Sequence, residues 1–232
     1  DDVRGCAGGH RGADMIVIGS LIALVLFVLV GWAVSVEMFR HRWWRKRVEA
    51  GDLRVIAGLI LEAMRAWQRA RPPQELAPGV WSGVQRAELV AVTADSATLS
   101  TSVEPEYRTE GGARVQVASA LDVARAAAAR LVDMMLYDVP NLRLRRVRVD
   151  VYTTFTDAQG LPVQRPVLST VADRERAEGL PWESLTPEEI LNRFDTLVRL
   201  GEAGQPLPIE LPPVEGEPPE TIFGAEANTG ER

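Results

Sequence analysis

The sequence predicts an α+β protein: a single N-terminal transmembrane helix, then an antiparallel sheet of about four to five strands with helices packed on one face. Two observations lead to this class. Residues 15–36 contain no charged side chain, and roughly 20 apolar residues suffice to span a bilayer core. From residue 84 onward, segments that alternate with period two are interleaved with segments of helical period.

The apolar segment 15–36 is predicted to be a retained anchor. It is longer than the h-region of a signal peptide, which has about 7–15 residues, and its positive charges follow it. It also lacks the polar face of a surface helix. Because positive charge stays cytoplasmic, the basic C-terminal flank places the N-terminus outside and the main domain in the cytoplasm of a single-pass protein of the cell membrane. The predicted membrane-interface residues are Trp32, Arg40, Arg42, Trp43, Trp44, Arg45, Lys46 and Arg47.

Composition divides the chain of 232 residues, which carries a net charge of −6, into six segments. The basic flank contrasts with an acidic, proline-rich C-terminus that cannot bury enough apolar surface to fold alone. The predicted segments are a disordered tail (1–14), the transmembrane helix (15–36), a basic juxtamembrane segment with an amphipathic helix (37–71), a linker (72–83), an α+β globular domain (84–200) and an acidic disordered tail (201–232).

The first helix after the anchor is predicted over residues 48–71. Its apolar residues recur at three- and four-residue spacing, and Asp52 is a candidate N-cap. Packing of this stripe on its own domain is the simplest interpretation, and self-association through it is the alternative. Pro72 and Pro73 end the helix.

Residues 84–118 predict strands. A hairpin turns at Asp95-Ser96 and continues to Val103, and residues 114–117 add a short third strand. Ser119 and Asp122 then have the spacing of a capping box, although aspartate replaces the usual glutamate or glutamine. They predict a helix that runs to about Tyr137.

The strand prediction is clearest over residues 146–156, where valines alternate with polar side chains. A four-residue turn leads into a second strand over residues 161–171. Its two prolines lack backbone donors and predict an edge position. A short helical turn is predicted over 173–179. Thr186-Pro187 and Glu189 start a final helix that ends at Gly201.

The residue inventory excludes several classes of chemistry and predicts no catalytic, cofactor-binding or metal-binding residue. Both histidines, His10 and His41, and the single cysteine, Cys6, lie outside the predicted domain, which excludes Ser-His-Asp and Cys-His sites and cysteine-based zinc sites there. The only lysine, Lys46, lies beside the membrane, so a lysine-containing phosphate-binding loop is absent.

Two sets of side chains leave other functions open. Five acids could bind a hard cation or act as an acid/base pair if they converged. Alternatively, Arg146, Arg148 and Tyr152 share one face of the clearest strand and could form an anion surface, or clamp the acidic tail. The acids are Glu104, Glu106, Asp150, Asp157 and Asp173.

The function predicted from these patterns is a membrane-anchored, non-catalytic interaction or assembly module. Its expected binding surfaces are the helix 48–71, the strand 161–171 and the acidic tail. An unidentified protein partner or a homo-oligomer is expected, and no cofactor. The net negative charge argues against nucleic acid as a partner. The alternatives are a cation-dependent enzyme that uses the carboxylates and an anion or nucleic-acid binder that uses the arginine strand.

Overall fold

A computed structural model describes residues 50–224 and, before them, Phe27, Leu29, Val30 and Trp32. These four earlier residues are helical, and their side chains are exposed.

The chain divides into two units, Asp1–Lys46 and Arg47–Arg232. Within the described part of the chain, no helix is long and apolar enough to cross a membrane. Most of the predicted span 15–36 lies outside the described residues, as do all the predicted interface residues except Trp32, so both stay predictions.

Six strands of the second unit form one sheet, and two more form a separate hairpin. The sheet order is β1-β2-β5-β6-β7-β8, and β3 pairs only with β4. The bounds are β1 Glu88–Val92, β2 Ser96–Ser102, β3 Glu106–Glu110, β4 Ala113–Ala118, β5 Arg146–Thr156, β6 Pro162–Asp173, β7 Asp195–Leu200 and β8 Pro206–Leu207.

The sheet confirms the α+β class but is mixed, so the prediction of an antiparallel sheet is wrong. β2 and β5 run parallel, with Leu99 opposite Val149, while the other neighbours are antiparallel. Parallel neighbours need a crossover of a dozen or more residues. The chain between β2 and β5 supplies one, because it contains the β3–β4 hairpin and a long helix.

The helices are short apart from two. The ranges are α1 Leu53–Arg69, α2 Pro78–Gln85, α3 Ala120–Asp133, α4 Arg174–Ala177, α5 Pro187–Leu191 and α6 Pro219–Gly224, and a π-helical turn over Met134–Asp138 follows α3. Asp52 caps α1 as predicted, since its carboxylate accepts hydrogen bonds from the backbone of Arg54 and Val55. The predicted linker 72–83 is not all irregular, because α2 begins inside it at a proline in the first turn.

One apolar core joins the helices to the sheet. Val147, Val149 and Val151 of β5 are fully buried, and the apolar stripe of α1, including Ile56 and Ile60, packs into the same core. The stripe is therefore used within the domain, and it is not available as the binding surface that the sequence suggested.

The proline-containing strand β6 lies at a sheet edge, as predicted, only in its first half. β6 pairs with β5 along its length, and Leu168–Val171 also pairs with β7. The first half, with Pro162 and Pro166, has no strand on its second side among the described residues. There the Pro166 carbonyl accepts a hydrogen bond from the Ile209 amide, at 3.0 Å.

The helix predicted from Thr186 to Gly201 is two elements instead. Thr186 and Glu189 form the predicted capping box, but α5 ends at Leu191 and the chain returns as β7. Leu197 of β7 is 45% exposed. The open edge of β6 explains the difference. Its unpaired backbone groups form hydrogen bonds with β7, and this pairing overrides the helical spacing of the apolar residues in that segment.

The acidic tail differs from the predicted disorder as far as residue 224. After β8, residues 208–217, here called the strap, cross the polar face of the sheet. The strap ends in paired hydrogen bonds between the backbones of Val92 and Glu217, both 3.0 Å. Ile209 and Ile222 are buried. The tail does not fold alone; it is ordered by an existing surface.

Candidate functional site

An open groove with apolar lining lies between α3 and the segment that leads into α5. Its volume is about 740 Å³, within the range of roughly 300–1,000 Å³ found for ligand sites. We call it the Trp182 groove. Its apolar lining includes Leu76, Ala126, Ala129, Trp182, Leu185 and Ile190.

The floor of the groove follows from the alanine run of α3. The helix starts at a complete capping box, in which Ser119 and Asp122 bond each other's backbone amides. Two turns later, Ala126 and Ala129 reach the groove with only a methyl group each. These small side chains leave open the space that a larger residue would occupy.

The opposite wall is fixed by aromatic packing. Trp182 lies 6.2 Å from the ring of Tyr137 in an edge-on arrangement, and 6.1 Å from the ring of Phe194. Such ring pairs stabilise their geometry beyond simple burial. Phe194 is buried in the core, so the indole is held from below while its remaining surface faces the groove.

The rim of the groove carries the ion pair of Arg130 and Asp133, with nitrogen and oxygen 2.5 Å apart. Burial raises the pKa of Asp133, and the nearby charge of Asp138 raises it further, while Arg130 lowers it. Desolvation therefore outweighs the ion pair. With Glu183 also lining the groove, the acids of the rim outnumber its bases.

A π-helical turn ends α3 beside this rim, and such turns occur often at functional sites. Arg174 donates one hydrogen bond to the carbonyl of Leu136 within this turn and another to the carbonyl of Leu144, which lies after it. The same guanidinium lies 5.3 Å from the ring centroid of Tyr137. Burial lowers the pKa of Arg174 and raises that of Tyr137.

The arginines of the predicted anion surface have other partners. Arg148 is buried; its Nε donates to Asp150 at 2.9 Å, and its Nη1 and Nη2 donate to the carbonyls of Pro213 and Pro212. Arg146 donates to Asp173 at 3.1 Å, a hydrogen bond that raises the pKa of Arg146.

Tyr152 is half-buried, and burial raises its pKa. The three residues share a face as predicted, but Arg148 faces the strap and not open solvent. An arginine does clamp the tail, because Arg148 donates hydrogen bonds to backbone carbonyls of the strap. The charge of Glu215 in the strap also helps to raise the pKa of Arg146.

The five acids do not come together as one group, although Glu104 and Glu106 line the same polar depression. Among the described residues, no three acidic, histidine or cysteine side chains converge as a metal site would require. Glu104 accepts a hydrogen bond from Thr154, Asp157 accepts from the backbone of its own turn, and Asp150 accepts from Arg148 and Ser169. Glu106 lines a polar depression beside α2, and Asp173 pairs with Arg146.

Comparison with protein-family models, curated proteins and solved structures finds no match for this chain. Function must therefore be argued from the site.

Sequence patterns missed the Trp182 groove because its two walls come from separate parts of the chain. The alanines of α3 at positions 126–129 predict close packing, but they do not indicate that the space above them stays open. The other signal of the groove in the sequence is Trp182, which lies between Pro181 and the helix start at Thr186. A large aromatic residue in a proline-bounded loop is typical of a binding surface as well as of a core.

Proposed function

We propose that this chain is a single-pass membrane protein whose domain acts in the cytoplasm as a non-catalytic interaction module. The Trp182 groove carries the proposal: it binds an apolar, basic-flanked helix or peptide of a protein partner. The apolar lining supplies affinity, and the acidic rim selects a basic flank. A helix laid into a hydrophobic groove is a common mode of peptide recognition.

The anchor part of the proposal rests on the uncharged segment 15–36 and the basic cluster after it.

A cysteine-labelling experiment tests the orientation. Cys6 is the only cysteine in the sequence and precedes the proposed span. A membrane-impermeant maleimide should label Cys6 in intact cells. In a Cys6→Ser, Gln159→Cys variant, labelling should require permeabilisation, because residue 159 lies in the exposed β5–β6 turn. Labelling of the second variant in intact cells would overturn the cytoplasmic assignment.

A groove-filling substitution tests the binding site. Ala126→Phe places a ring in the groove, whereas Ala158→Phe adds the same ring to an exposed turn. Crosslinking in native membranes should capture a protein partner with the unsubstituted chain and with Ala158→Phe, and lose it with Ala126→Phe. Equal capture by all three chains would show that the groove is not the binding site, and turnover by the purified protein would contradict a non-catalytic role.

A further inference from the structure

The two ends of the α3 wall of the Trp182 groove differ in charge. At the N-terminal end, Arg125 pairs with Glu188 of α5 at 3.1 Å, so one charge of each sign is present. At the C-terminal end, Arg130 is shared between two carboxylates, with Asp133 at 2.5 Å and Asp138 at 3.8 Å. The excess of negative charge therefore lies at the Asp133 end.

The carboxylate of Asp133 keeps one oxygen open to a ligand. Its Oδ2 accepts the hydrogen bond of Arg130, and no other hydrogen bond from the described residues reaches this carboxylate. The Asp133 side chain is 23% exposed and lines the groove. Oδ1 is consequently left for a donor that enters the groove.

The loss of water around Asp133 makes a further cation favourable there. Burial raises the pKa of Asp133, Arg130 lowers it by less, and the charge of Asp138 raises it further. The ion pair with Arg130 thus does not fully replace the water that the carboxylate has lost. A second cation near Oδ1 would favour the charged form, and it interacts more strongly with a partly desolvated carboxylate than with an exposed one.

The groove residues of α3 recur at helical spacing. Ala126, Ala129 and Asp133 are at positions i, i+3 and i+7, so they share one face, and the first and last are about 10 Å apart along the axis. The two methyl side chains allow a second helix to approach closely. A helix that lies along α3 would place two side chains over the alanines and a third over Asp133.

We propose that the groove binds a helix whose side chains follow the order apolar, apolar, basic at three- or four-residue spacing, and that Asp133 selects the basic one. The apolar side chains fill the space above Ala126 and Ala129, against Trp182, and the arginine or lysine donates to Oδ1 of Asp133. Glu183, on the opposite wall, adds a second negative charge. Because it specifies the partner of the same groove, this inference rests on the proposed function.

Selection from a peptide library tests which ligand the groove prefers. The full chain in lipid nanodiscs is offered displayed helical peptides that are randomised on one face. The enriched peptides should carry two apolar residues and a basic residue at the stated spacing. Asp133→Arg should reverse the preference at the third position from basic to acidic, because a guanidinium replaces the carboxylate. The control Glu202→Arg, in the exposed turn between β7 and β8 and outside the groove, should leave the preference basic.

Asp133→Asn gives a second test that does not require the domain to tolerate a reversed charge. Asparagine keeps an oxygen acceptor for Arg130 and removes the negative charge. A selected basic peptide should bind this variant about tenfold more weakly than the unsubstituted chain. Added salt should weaken its binding to the unsubstituted chain more than its binding to the variant. Equal affinity for the two chains, or an unchanged charge preference in Asp133→Arg, would overturn the role of Asp133.

The groove-filling variant separates this inference from the proposed function. If Ala126→Phe abolishes enrichment but the Asp133 variants leave the selected charge unchanged, the groove binds a peptide and another group selects its basic residue. If no peptide is enriched, or Ala126→Phe enriches the same peptides as the unsubstituted chain, the groove is not a peptide site and both proposals fail.

Discussion

Arg148 and Asp150 form an ion pair beneath the strap, with side chains that are 9% and 4% exposed and a nitrogen–oxygen distance of 2.9 Å. The carboxylate also accepts a 2.6 Å hydrogen bond from Ser169. The other two guanidinium nitrogens donate hydrogen bonds to the carbonyls of Pro212 and Pro213. One buried charge pair therefore joins the polar face of the sheet to the C-terminal segment.

Removing the cation from this pair should destabilise the protein strongly. Arg148→Ala leaves the Asp150 carboxylate buried without a counter-charge, and breaking a buried pair in this way costs about 3–5 kcal/mol. Urea unfolding of the full chain in detergent, followed by tryptophan fluorescence, measures the loss. Replacing both charges at once, with Arg148→Met and Asp150→Leu, should recover most of it, because no charge remains buried.

Arg146→Ala is the control for this prediction. Arg146 lies on the same strand as Arg148 and pairs with Asp173 of the neighbouring β6. The two side chains are 55% and 26% exposed, so solvent screens the pair and the change should cost about 0–1 kcal/mol. Similar losses for the two alanine variants would show that burial of Arg148 does not matter to stability.

Attachment of the strap should depend on Gly216. Its φ is 102°, and a Cβ there would lie 2.6 Å from the Val92 carbonyl oxygen, which accepts the Glu217 amide. Gly216→Ala should therefore break the bridge to β1, at a cost of at least about 1–3 kcal/mol for the backbone alone. Hydrogen exchange of the Glu217 amide should become faster.

Gly224→Ala is the matched change, since a Cβ at that position meets nothing within 4 Å. It should leave exchange at Glu217 as it was. If Gly216→Ala also leaves that exchange unchanged, the bridge between Glu217 and Val92 does not hold the strap.

Local patterns predicted the elements that carry their own signals. Strand 146–156 and the capping boxes at Ser119 and Thr186 agree with the structure, since alternation and cap spacing are contained within a few residues. The parallel pairing of β2 with β5 was not predicted, because the residue pattern of a strand does not show which distant strand it pairs with or in which direction. β7 was missed because an open sheet edge overrode a helical spacing, as tertiary contacts commonly do.

The pH dependence of the free energy of unfolding should reveal the desolvation of Asp133 at the rim of the groove. Burial raises the pKa of Asp133 in the folded protein above its ordinary value. The protonated Asp133 side chain therefore contributes its full share to the free energy of unfolding below the ordinary pKa. This contribution is lost as pH rises through the folded pKa. Asp133→Asn cannot ionise. Its stability relative to the unsubstituted chain should therefore increase as pH rises across this window, measured by urea unfolding at a series of pH values.

Asp122→Asn is not a suitable control for that series, because Asp122 caps α3. Glu202→Gln is preferable, because Glu202 is exposed in the turn between β7 and β8 and does not line the groove. A stability difference for Asp133→Asn that stays constant with pH, or falls as pH rises, would contradict the assignment of desolvation as the larger effect.

The candidate site was less predictable than the fold. The arginine face was read from alternation alone, which says which side chains share a face but not what covers it. Here the strap covers Arg148. The surface that stays open, the Trp182 groove, is built from separate segments of the chain, so no single stretch of sequence contains it.

Two buried threonines should respond in opposite directions to the same substitution. Thr101 and Thr153 are both 3% exposed, yet Thr101 donates to the Gly83 carbonyl at 2.5 Å, while the Thr153 hydroxyl has no partner within the described residues. Valine keeps the shape of threonine and removes the hydroxyl. Thr153→Val should raise the free energy of unfolding by about 1–3 kcal/mol, the cost of an unsatisfied buried group, and Thr101→Val should lower it by a similar amount. Urea unfolding of both variants checks this, and a loss of stability in Thr153→Val would mean that its hydroxyl is satisfied, for example by a buried water that bonds the neighbouring backbone.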